Sequence, residues 1–423
     1  MGQAVVGVLL AALLGAASAR EAQQATAPEA PAAAIAPRIG RITFDGLERT
    51  DREAVLRQLD LAPGDALTSA RLARAERRLG ELPIAGNAAI EYRPAEQTAH
   101  LHVIFDEQTL FPDGWKGWSL VGAQAIFKEH LNVEIAGPLG RGDVWDAGYR
   151  WKTERPLVSL ALQIPAGPLP GVAVIDGLWE RQTYRVGSAA GPLVEEREIR
   201  VGAALTDWVT PGLRWQAGGA FNRFDDRSYV ALQGSLDRRL LAERLALVLE
   251  LGHWIPTGDD GAFSRANVAA NWRSQVPSGR YEPGWTAWLG YTTTTADAPL
   301  ALWPGASTGK GRNAILRAHK LLEEDVVTGD AFGRHLLYST IEYERPLFVH
   351  DRGAVGWAVF VDGARAWDRI IDERPSPFHV DLGFGIRLRA PGLGGAIRMD
   401  YATSVRDGRS AVSTAWVGSW PWR

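Results

Sequence analysis

Residues 354–368, AVGWAVFVDGARAWD, alternate between two kinds of side chain with the period of a β-strand. One set is mostly bulky and apolar, with Trp357 and Trp367 near its ends, whereas the other is mostly small and contains Asp362 and Asp368. In a soluble sandwich the apolar set would face a core. In a membrane barrel it would face lipid, and Asp362 would then face a wet interior.

The same alternation recurs along the chain after Glu107 and predicts sixteen strands, eleven before a long irregular stretch and five after it. The predicted strands lie near 117–127, 129–137, 143–152, 155–165, 170–185, 195–208, 211–224, 227–239, 243–255, 262–275, 282–295, 334–348, 353–368, 378–390, 395–405 and 411–422. A strand and its loop average about 20 residues, which suits a tilted membrane strand of ~9–11 residues and a turn. We therefore predict a mainly β chain with a 16-stranded transmembrane antiparallel β-barrel.

The late strands distinguish this prediction from a soluble β-sandwich or propeller. In 378–390, Leu382 and Phe384 oppose Asp381 and Arg387, and other late strands repeat this opposition of apolar and charged faces. The chain also has seventeen tryptophans, a residue that collects at membrane–water interfaces. Charges on the second face of so many strands favour the membrane barrel, although strand alternation by itself fits both.

A different pattern precedes the barrel, and it predicts a small α+β domain over 38–108. A strand at GRITFDG is followed by a helix that opens at the capping-box sequence Thr50–Glu53. A second helix begins at about Thr68, and two strands follow near 87–94 and 98–107. The predicted order is β-α-α-β-β, with the barrel occupying 109–423.

The N-terminus predicts export. Residues 1–19 have an apolar core that ends in Ala17-Ser18-Ala19, which is typical of a cleaved signal peptide, although no Lys or Arg precedes the core. A membrane anchor is the alternative, but the apolar run is short of the ~20 residues that a spanning helix needs. Residues 20–37, rich in Ala and Pro, read as a linker.

Composition removes several classes of chemistry. The chain has no cysteine, which excludes disulfides, cysteine nucleophiles and zinc–cysteine sites. Its net charge of −3 gives no indication of nucleic-acid binding.

The long loop between the eleventh and twelfth predicted strands, residues 297–333, is the main candidate for a functional segment, because structureless loops of this length are usually functional or disordered. It contains the compact sequence ILRAHK. The strand after it places Glu342 on the inner face, and Asp362 lies on the inner face of the next strand. Two carboxylates in a confined space call for a cation, and an arginine from a loop folded into the barrel would supply a forked partner.

These features resemble the bacterial surface antigen superfamily, which includes BamA-type insertases, TamA-type assembly factors and two-partner-secretion transporters. The resemblance rests on the POTRA-like domain, an arginine in the sixth extracellular loop, and the sequences IEYERPLF and FVDGARAWD. It implies that Arg317 occupies the loop-motif arginine position and contacts Asp362 and Glu342. The family usually has Arg-Gly-aromatic in this loop, whereas this chain has Arg317-Ala318-His319, so a tight positive-φ turn is not expected here.

The resemblance also implies a function at the bacterial outer membrane, with the POTRA domain in the periplasm. We expect it to capture unfolded outer-membrane or secreted protein clients, and the barrel to insert or translocate them. Outer-membrane lipid and periplasmic accessory proteins are further expected partners, and nucleic acid is not. A passive porin, or a channel that exports lipid or surface structures, remains the alternative.

Other motifs give weaker indications. The G-x-S-x-G match at 305–309 lacks the strand–turn–helix context of a hydrolase, so we predict no catalytic residues and no enzyme activity. His100 and His102 are the one close histidine pair, and solvent exposure explains them better than metal binding. We predict neither a cofactor nor a metal site.

The two terminal strands of the predicted barrel define an expected seam, 117–127 paired with 411–422, since an open edge in lipid would leave backbone groups unsatisfied. Gly117 and Gly122 weaken one side of it, and Pro421 removes a ladder donor from the other, where Trp416, Trp420 and Trp422 share the outward face. A weak seam suits a lateral gate, although the terminal strands of a barrel also fray without function.

Overall fold

A computed structural model describes the chain over 36–95, 98–108, 110, 118–119, 122, 125–126, 129–167, 169–275, 281–306, 315–350, 353–371, 374–389 and 395–418. The predicted signal peptide and most of the predicted linker lie outside these residues. The chain divides into two compact units. Unit 1 comprises Met1–Trp151, Leu157–Leu178 and Arg200–Ala220, and unit 2 comprises Lys152–Pro156, Trp179–Ile199 and Phe221–Arg423.

Unit 1 begins with the predicted β-α-α-β-β domain. Its elements are β1 (Arg38–Asp45), α1 (Arg52–Leu59), α2 (Ser69–Gly80), β2 (Ala85–Ala95) and β3 (Thr98–Glu107). The strand order is β1-β3-β2, in which β1 runs parallel to β3 and β2 runs antiparallel to it.

Helix caps and an apolar core explain this local fold. Thr68 caps α2, since its hydroxyl accepts a hydrogen bond from the Arg71 amide at 3.2 Å. The cap of α1 is Asp51, which accepts from the Glu53 amide at 3.1 Å, so the helix begins one residue later than a cap at Thr50 would place it. Val55 and Leu79 from the two helices are fully buried in one core with the sheet.

The remainder of the described chain forms a large antiparallel sheet whose long strands number fifteen. They are β4 (His130–Ala136), β5 (Val144–Arg150), β6 (Leu157–Pro165), β7 (Val172–Arg185), β8 (Leu193–Thr210), β9 (Leu213–Phe224), β10 (Arg227–Leu240), β11 (Leu245–Pro256), β12 (Phe263–Arg273), β13 (Gly284–Thr294), β16 (Gly333–His350), β17 (Gly353–Arg369), β18 (His379–Arg389), β19 (Gly395–Ser404) and β20 (Ser410–Gly418). The long loop adds a 3₁₀ turn, Leu300–Leu302, and the two-residue strands β14 (Leu322–Glu323) and β15 (Val326–Val327).

The two faces of this sheet have the polarity that the alternation predicts. In β18, Phe384 is 61% exposed, while Asp381 and Arg387 on the opposite face are 0% and 3% exposed. In β17, Val359 and Val361 are likewise exposed. A sheet that buries its charges and exposes its apolar side chains suits lipid on the exposed face.

The predicted first strand, 117–127, differs from the structure. Five of its residues are described, at 118, 119, 122, 125 and 126, and all five are helical. At these five positions the chain therefore does not form the extended strand that was predicted to pair with 411–422 at the seam. On the other side, β20 ends at Gly418, and Trp420, Pro421 and Trp422 lie outside the described residues.

Among the described residues, no helix has both the length and the apolar character needed to cross a membrane.

Candidate functional site: a loop arginine bound by strand carboxylates

Arg317 of the long loop is one of the most deeply buried charged residues in unit 2, with 1% of its surface exposed. Leu316, the preceding residue, is fully buried in an apolar cluster that includes Tyr338 and Ala364 of the neighbouring strands. This anchor holds the loop against β16 and β17 and directs the next side chain into the charged face of the sheet.

Three carboxylates from three strands surround the Arg317 guanidinium. Nη2 donates a hydrogen bond to Glu342 of β16 at 2.6 Å. Nε lies 3.3 Å from Asp362 of β17, and Nη1 lies 3.5 Å from Asp400 of β19. The last two contacts are ion pairs without hydrogen-bond geometry. The planar fork of arginine suits this arrangement, because its three nitrogens address three different acids.

Two more arginines share the same acids. Arg387 of β18 donates to Glu342 at 2.6 Å and to Asp400 at 2.6 Å. Arg398 of β19 lies 3.3 Å from Asp400. We call Arg317, Glu342, Asp362, Arg387, Arg398 and Asp400 the arginine–carboxylate cluster; it balances three positive charges with three negative ones. Buried charges need such pairing, since each carries a large desolvation cost.

An aromatic ring closes one side of the Arg317 pocket. The guanidinium carbon lies 3.5 Å from the centroid of the Phe360 ring, a cation–π contact. Gly383 makes room for that ring, because a Cβ at this position would lie 2.3 Å from Phe360. Gly385 does the same for the Arg387–Asp400 pair, since its Cβ would lie 2.0 Å from an Asp400 oxygen.

The loop tip is bound through its backbone and its histidine. The Ala318 amide donates to Asp381 Oδ2 at 2.5 Å, and His319 Nδ1 lies 2.9 Å from Asp381 Oδ1. Ala318 is not among the described residues with positive φ, so alanine fits the backbone here without strain. Asp381 thus accepts hydrogen bonds from two consecutive loop residues, Ala318 and His319.

Burial lowers the pKa of His319, but its hydrogen bond and charge interaction with Asp381, together with Asp407, outweigh burial and raise it above its ordinary value. The two acids therefore favour the charged form of a ring that is 4% exposed.

Other parts of the loop are held in unit 2 by similar contacts. Glu196 of β8 accepts hydrogen bonds from the amides of Leu300 and Ala301, at the start of the 3₁₀ turn. Lys152 donates to both oxygens of Asp325 at 2.8 and 2.7 Å. The loop is therefore fixed at several points along its described length.

The structure brings the three site residues of the sequence analysis together, with Arg317 in contact with Glu342 and Asp362. The alternation also placed Asp381 and Arg387 on the inner face, and the same period in the strand predicted at 395–405 places Arg398 and Asp400 there, but it assigned no partners to any of the four. No sequence rule pairs residues on non-adjacent strands, and those partners depend on how far the loop reaches across the sheet.

The motifs that the sequence analysis set aside have structural explanations where they are described. Gly305 forms an isolated bridge with Phe332, and the Ala306 amide donates to Ala331, so both belong to the base of the long loop. Ser307, the serine of the G-x-S-x-G match, lies outside the described residues. His102 Nδ1 lies 2.9 Å from the Thr43 hydroxyl, and His100 is exposed.

Comparison with known proteins agrees with this architecture. Residues 37–108 match the POTRA family, described as surface antigen variable number repeat. BamA from Haemophilus ducreyi lacking POTRA domains 1–3 is similar in structure, with a TM-score of 0.52 and 12% identity over 90% of this chain and 85% of that one. CdiB from Escherichia coli gives a TM-score of 0.60 and 14% identity over 90% and 76%. CdiB from Acinetobacter baumannii gives 0.53 and 11% over 90% and 73%.

No curated protein sequence matches the chain. At these identities the structural likeness concerns the fold. The chain has the fold of the BamA and CdiB β-barrels together with a POTRA domain, which confirms the predicted mainly β barrel with one small α+β domain before it.

Proposed function

We propose that this protein assembles, inserts or translocates protein clients at the bacterial outer membrane, with its POTRA domain in the periplasm. The observation that carries the proposal is the loop tip bound inside the charged face by Arg317, in a chain that also has a POTRA domain. A passive pore needs neither a folded client-binding domain nor a loop fixed at the centre of a six-residue charged cluster.

We propose a domain division to match: a signal peptide over 1–19, a linker over 20–37, the POTRA domain over 38–108 and the barrel over 109–423. The exposed apolar side chains of β17 and β18 support contact with outer-membrane lipid.

The POTRA domain offers an edge on which a client can form a strand. In the order β1-β3-β2, strand β2 lies at one edge of the sheet and is eleven residues long. Edge strands present unpaired backbone groups, and an extended peptide binds them by adding a strand. We propose β2 as the capture site for unfolded clients.

The exit route is proposed along the last long strand, β20, where a client strand would leave sideways into lipid. Val412 on this strand is 70% exposed and belongs to the apolar face. The alternative route passes along the charged face that contains the arginine–carboxylate cluster.

A reconstitution tests the proposed activity. Full-length protein in liposomes receives a urea-unfolded outer-membrane barrel, and the folded fraction of that client is followed by its heat-modifiable migration in gels. We expect faster folding than in empty liposomes, and slower folding with Arg317→Ala than with wild type. Ion conductance without accelerated client folding would favour the passive porin instead.

Site-specific photocrosslinking tests capture and exit. A photoreactive residue at Ala89 on β2 should capture the client, whereas one at Glu53 on α1, which is also exposed, should not. A photoreactive residue at Val412 should crosslink the client more than one at Leu289 of β13, which is 52% exposed on the same kind of apolar face. Equal yields at Val412 and Leu289 would contradict sideways exit.

A further inference from the structure

Two histidines and an aspartate from three separate segments of unit 2 meet beside the loop tip. They are His319 of the long loop, His379 at the start of β18, and Asp407 in the turn after β19. One ligand atom from each lies within 4.8 Å of the others. Their wide separation in sequence explains why histidine spacing did not indicate the cluster.

The two histidines have ring nitrogens directed into this cluster without hydrogen-bond partners among the described residues. His379 is 2% exposed, and neither of its ring nitrogens makes a hydrogen bond. His319 is 4% exposed, and its Nε2 also makes none, although it lies 3.3 Å from Asp407 Oδ2. Buried polar atoms are usually paired, so an unpaired ring at this depth points to a ligand.

Asp381 fixes which His319 nitrogen faces the cluster, and a metal ion that binds there displaces the second proton of the charged ring. A carboxylate accepts hydrogen bonds but does not donate them, so the His319 Nδ1 that faces Asp381 carries the hydrogen. In the neutral ring, Nε2 then presents its lone pair to the cluster. A carboxylate behind a ligating histidine is the usual arrangement that orients such ligands at metal sites.

We propose that His319, His379 and Asp407 form a binding site for a divalent transition-metal ion such as Zn²⁺. Two imidazoles and one carboxylate are a typical zinc donor set, and a water completes the tetrahedron. Bonds of about 2.0–2.1 Å place tetrahedral ligands roughly 3.3 Å apart, so the three side chains close inward slightly on binding.

The partners of Asp407 allow this closure. Besides His319, Asp407 has Arg409 as a partner: the Arg409 amide donates to Oδ1 at 3.2 Å, and the Arg409 guanidinium, 57% exposed, lies 3.2 Å from Oδ2. Exposed ion pairs contribute little, so a metal ion can displace Arg409 from the carboxylate at small cost. The bound ion would connect the loop tip to β18 and to the turn after β19. It would therefore hold the loop through His319, on one side of Ala318, while the arginine–carboxylate cluster holds it through Arg317, on the other side.

Zinc titration of the whole protein tests the site. Full-length protein purified in detergent without a histidine tag is treated with a chelator and titrated with Zn²⁺ by calorimetry. We expect one equivalent bound tightly. Titration with Co²⁺ should give the intense visible absorption of a four-coordinate ion, whereas octahedral Co²⁺ absorbs only weakly.

Two variants of the ligands separate this site from incidental binding. His379→Phe and Asp407→Asn should each weaken Zn²⁺ binding by at least about 100-fold, and Asp381→Asn, which affects a positioning residue, by about 10–100-fold. Asp407 is exposed, so Asp407→Asn keeps the test valid where His379→Phe does not fold. The double variant His100→Ala/His102→Ala is the matched control and should bind as wild type does.

A separate readout measures the proposed connection. Zn²⁺ should slow trypsin cleavage at Lys310 and Arg312 of the long loop in wild type but not in Asp407→Asn. No stoichiometric Zn²⁺ binding, or binding that survives both ligand substitutions unchanged, would overturn the proposal.

Discussion

The central carbon of the Arg317 guanidinium lies over the Phe360 ring, 3.5 Å from the ring centroid. The same guanidinium donates to Glu342 at 2.6 Å, so one side chain is held by an aromatic face and a carboxylate from adjacent strands. With 1% of its surface exposed, Arg317 is shielded from the solvent that weakens surface ion pairs. Because of this shielding, substitutions that remove Arg317 contacts should have larger effects than substitutions in an exposed ion pair.

Arg317→Ala should release the long loop. Removing one partner of a buried charge network costs about 3–5 kcal/mol, because the remaining charges are left uncompensated. We expect faster trypsin cleavage at Lys310 and Arg312 while the barrel still migrates as a folded, heat-modifiable species. Arg317→Lys should also release the loop, since a single ammonium cannot address three carboxylates.

The control for this change is Arg334→Ala, which removes an arginine paired with Asp368 in a more exposed position. It should leave loop cleavage unchanged. Cleavage in Arg317→Ala at the wild-type rate would mean that Leu316 and the other loop contacts hold the segment without the arginine.

Phe360→Leu tests the contribution of the aromatic ring. A desolvated cation–π contact is worth about 2 kcal/mol, so the loop should be released less than in Arg317→Ala. Protease cleavage of the loop, compared at several denaturant concentrations, gives the difference. Val359→Leu on the exposed face of the same strand is the matched control. If Phe360→Leu and Val359→Leu release the loop equally, the general packing of β17, and not the Phe360 ring beside Arg317, holds the loop.

Gly385→Ala should disturb the arginine–carboxylate cluster although it replaces none of the charged residues. Its new methyl group would lie 2.0 Å from Asp400 Oδ1 and 2.8 Å from Arg387 Nη1, so the Arg387–Asp400 pair must move. We expect a lower temperature for loss of the heat-modifiable form. Gly258→Ala, where a Cβ meets nothing within 4 Å, should have no such effect and serves as the control.

In unit 1, Arg78 of the POTRA domain forms an ion pair with Asp207 of β8. Arg78 donates to the two Asp207 oxygens at 2.8 and 2.7 Å and is 4% exposed, which is the strong bidentate geometry. Asp207→Arg should detach this contact and accelerate proteolysis between POTRA and barrel. Adding Arg78→Asp should restore part of the protection, because the opposite charges then face each other again.

The exposed pair Arg93–Glu91 provides the comparison for that experiment. Reversal of Glu91 to arginine should change proteolysis little, since an exposed pair contributes about 0–1 kcal/mol. A double reversal of Arg78 and Asp207 that is no better than the single change would indicate that Asp60, the second acid on Arg78, decides the geometry.

The stability of the POTRA domain should depend on pH through Asp65. The hydrogen bond from Arg71 at 2.8 Å, followed by that from the Ala62 amide, lowers the pKa of this carboxyl below 3.8. A lowered folded pKa gives stability that is present above the unfolded pKa and lost as pH falls through the folded value. At pH 7, amide hydrogens in α2 should therefore exchange more slowly in wild type than in Asp65→Asn. This difference in exchange rate should shrink in acid, where Asp65 of the wild type becomes protonated. A difference that persists in strong acid would contradict the assignment.

The sequence by itself determined the domain order and nearly every strand. Alternation with a period of two is a local property of a half-buried strand, so the predicted 353–368 and 378–390 lie within two residues of β17 and β18 at each end. The inward direction of Asp362 and Glu342 came from the same pattern. Arg317 required the family resemblance, because no period exists within a loop. The cap of α1 is Asp51, one residue after Thr50, and the sequence could not decide between them because both side chains can cap a helix.

Only the tertiary structure decided which inward residues meet. Asp400 and Arg387 reach Arg317 and Glu342 because a loop crosses several strands and Gly383 and Gly385 leave space for side chains, and these are distances that no local pattern encodes. The same holds for His319, His379 and Asp407, which come from a loop, a strand end and a turn. Strand alternation assigns each residue to a face, but the path of the loop across that face selects its partners.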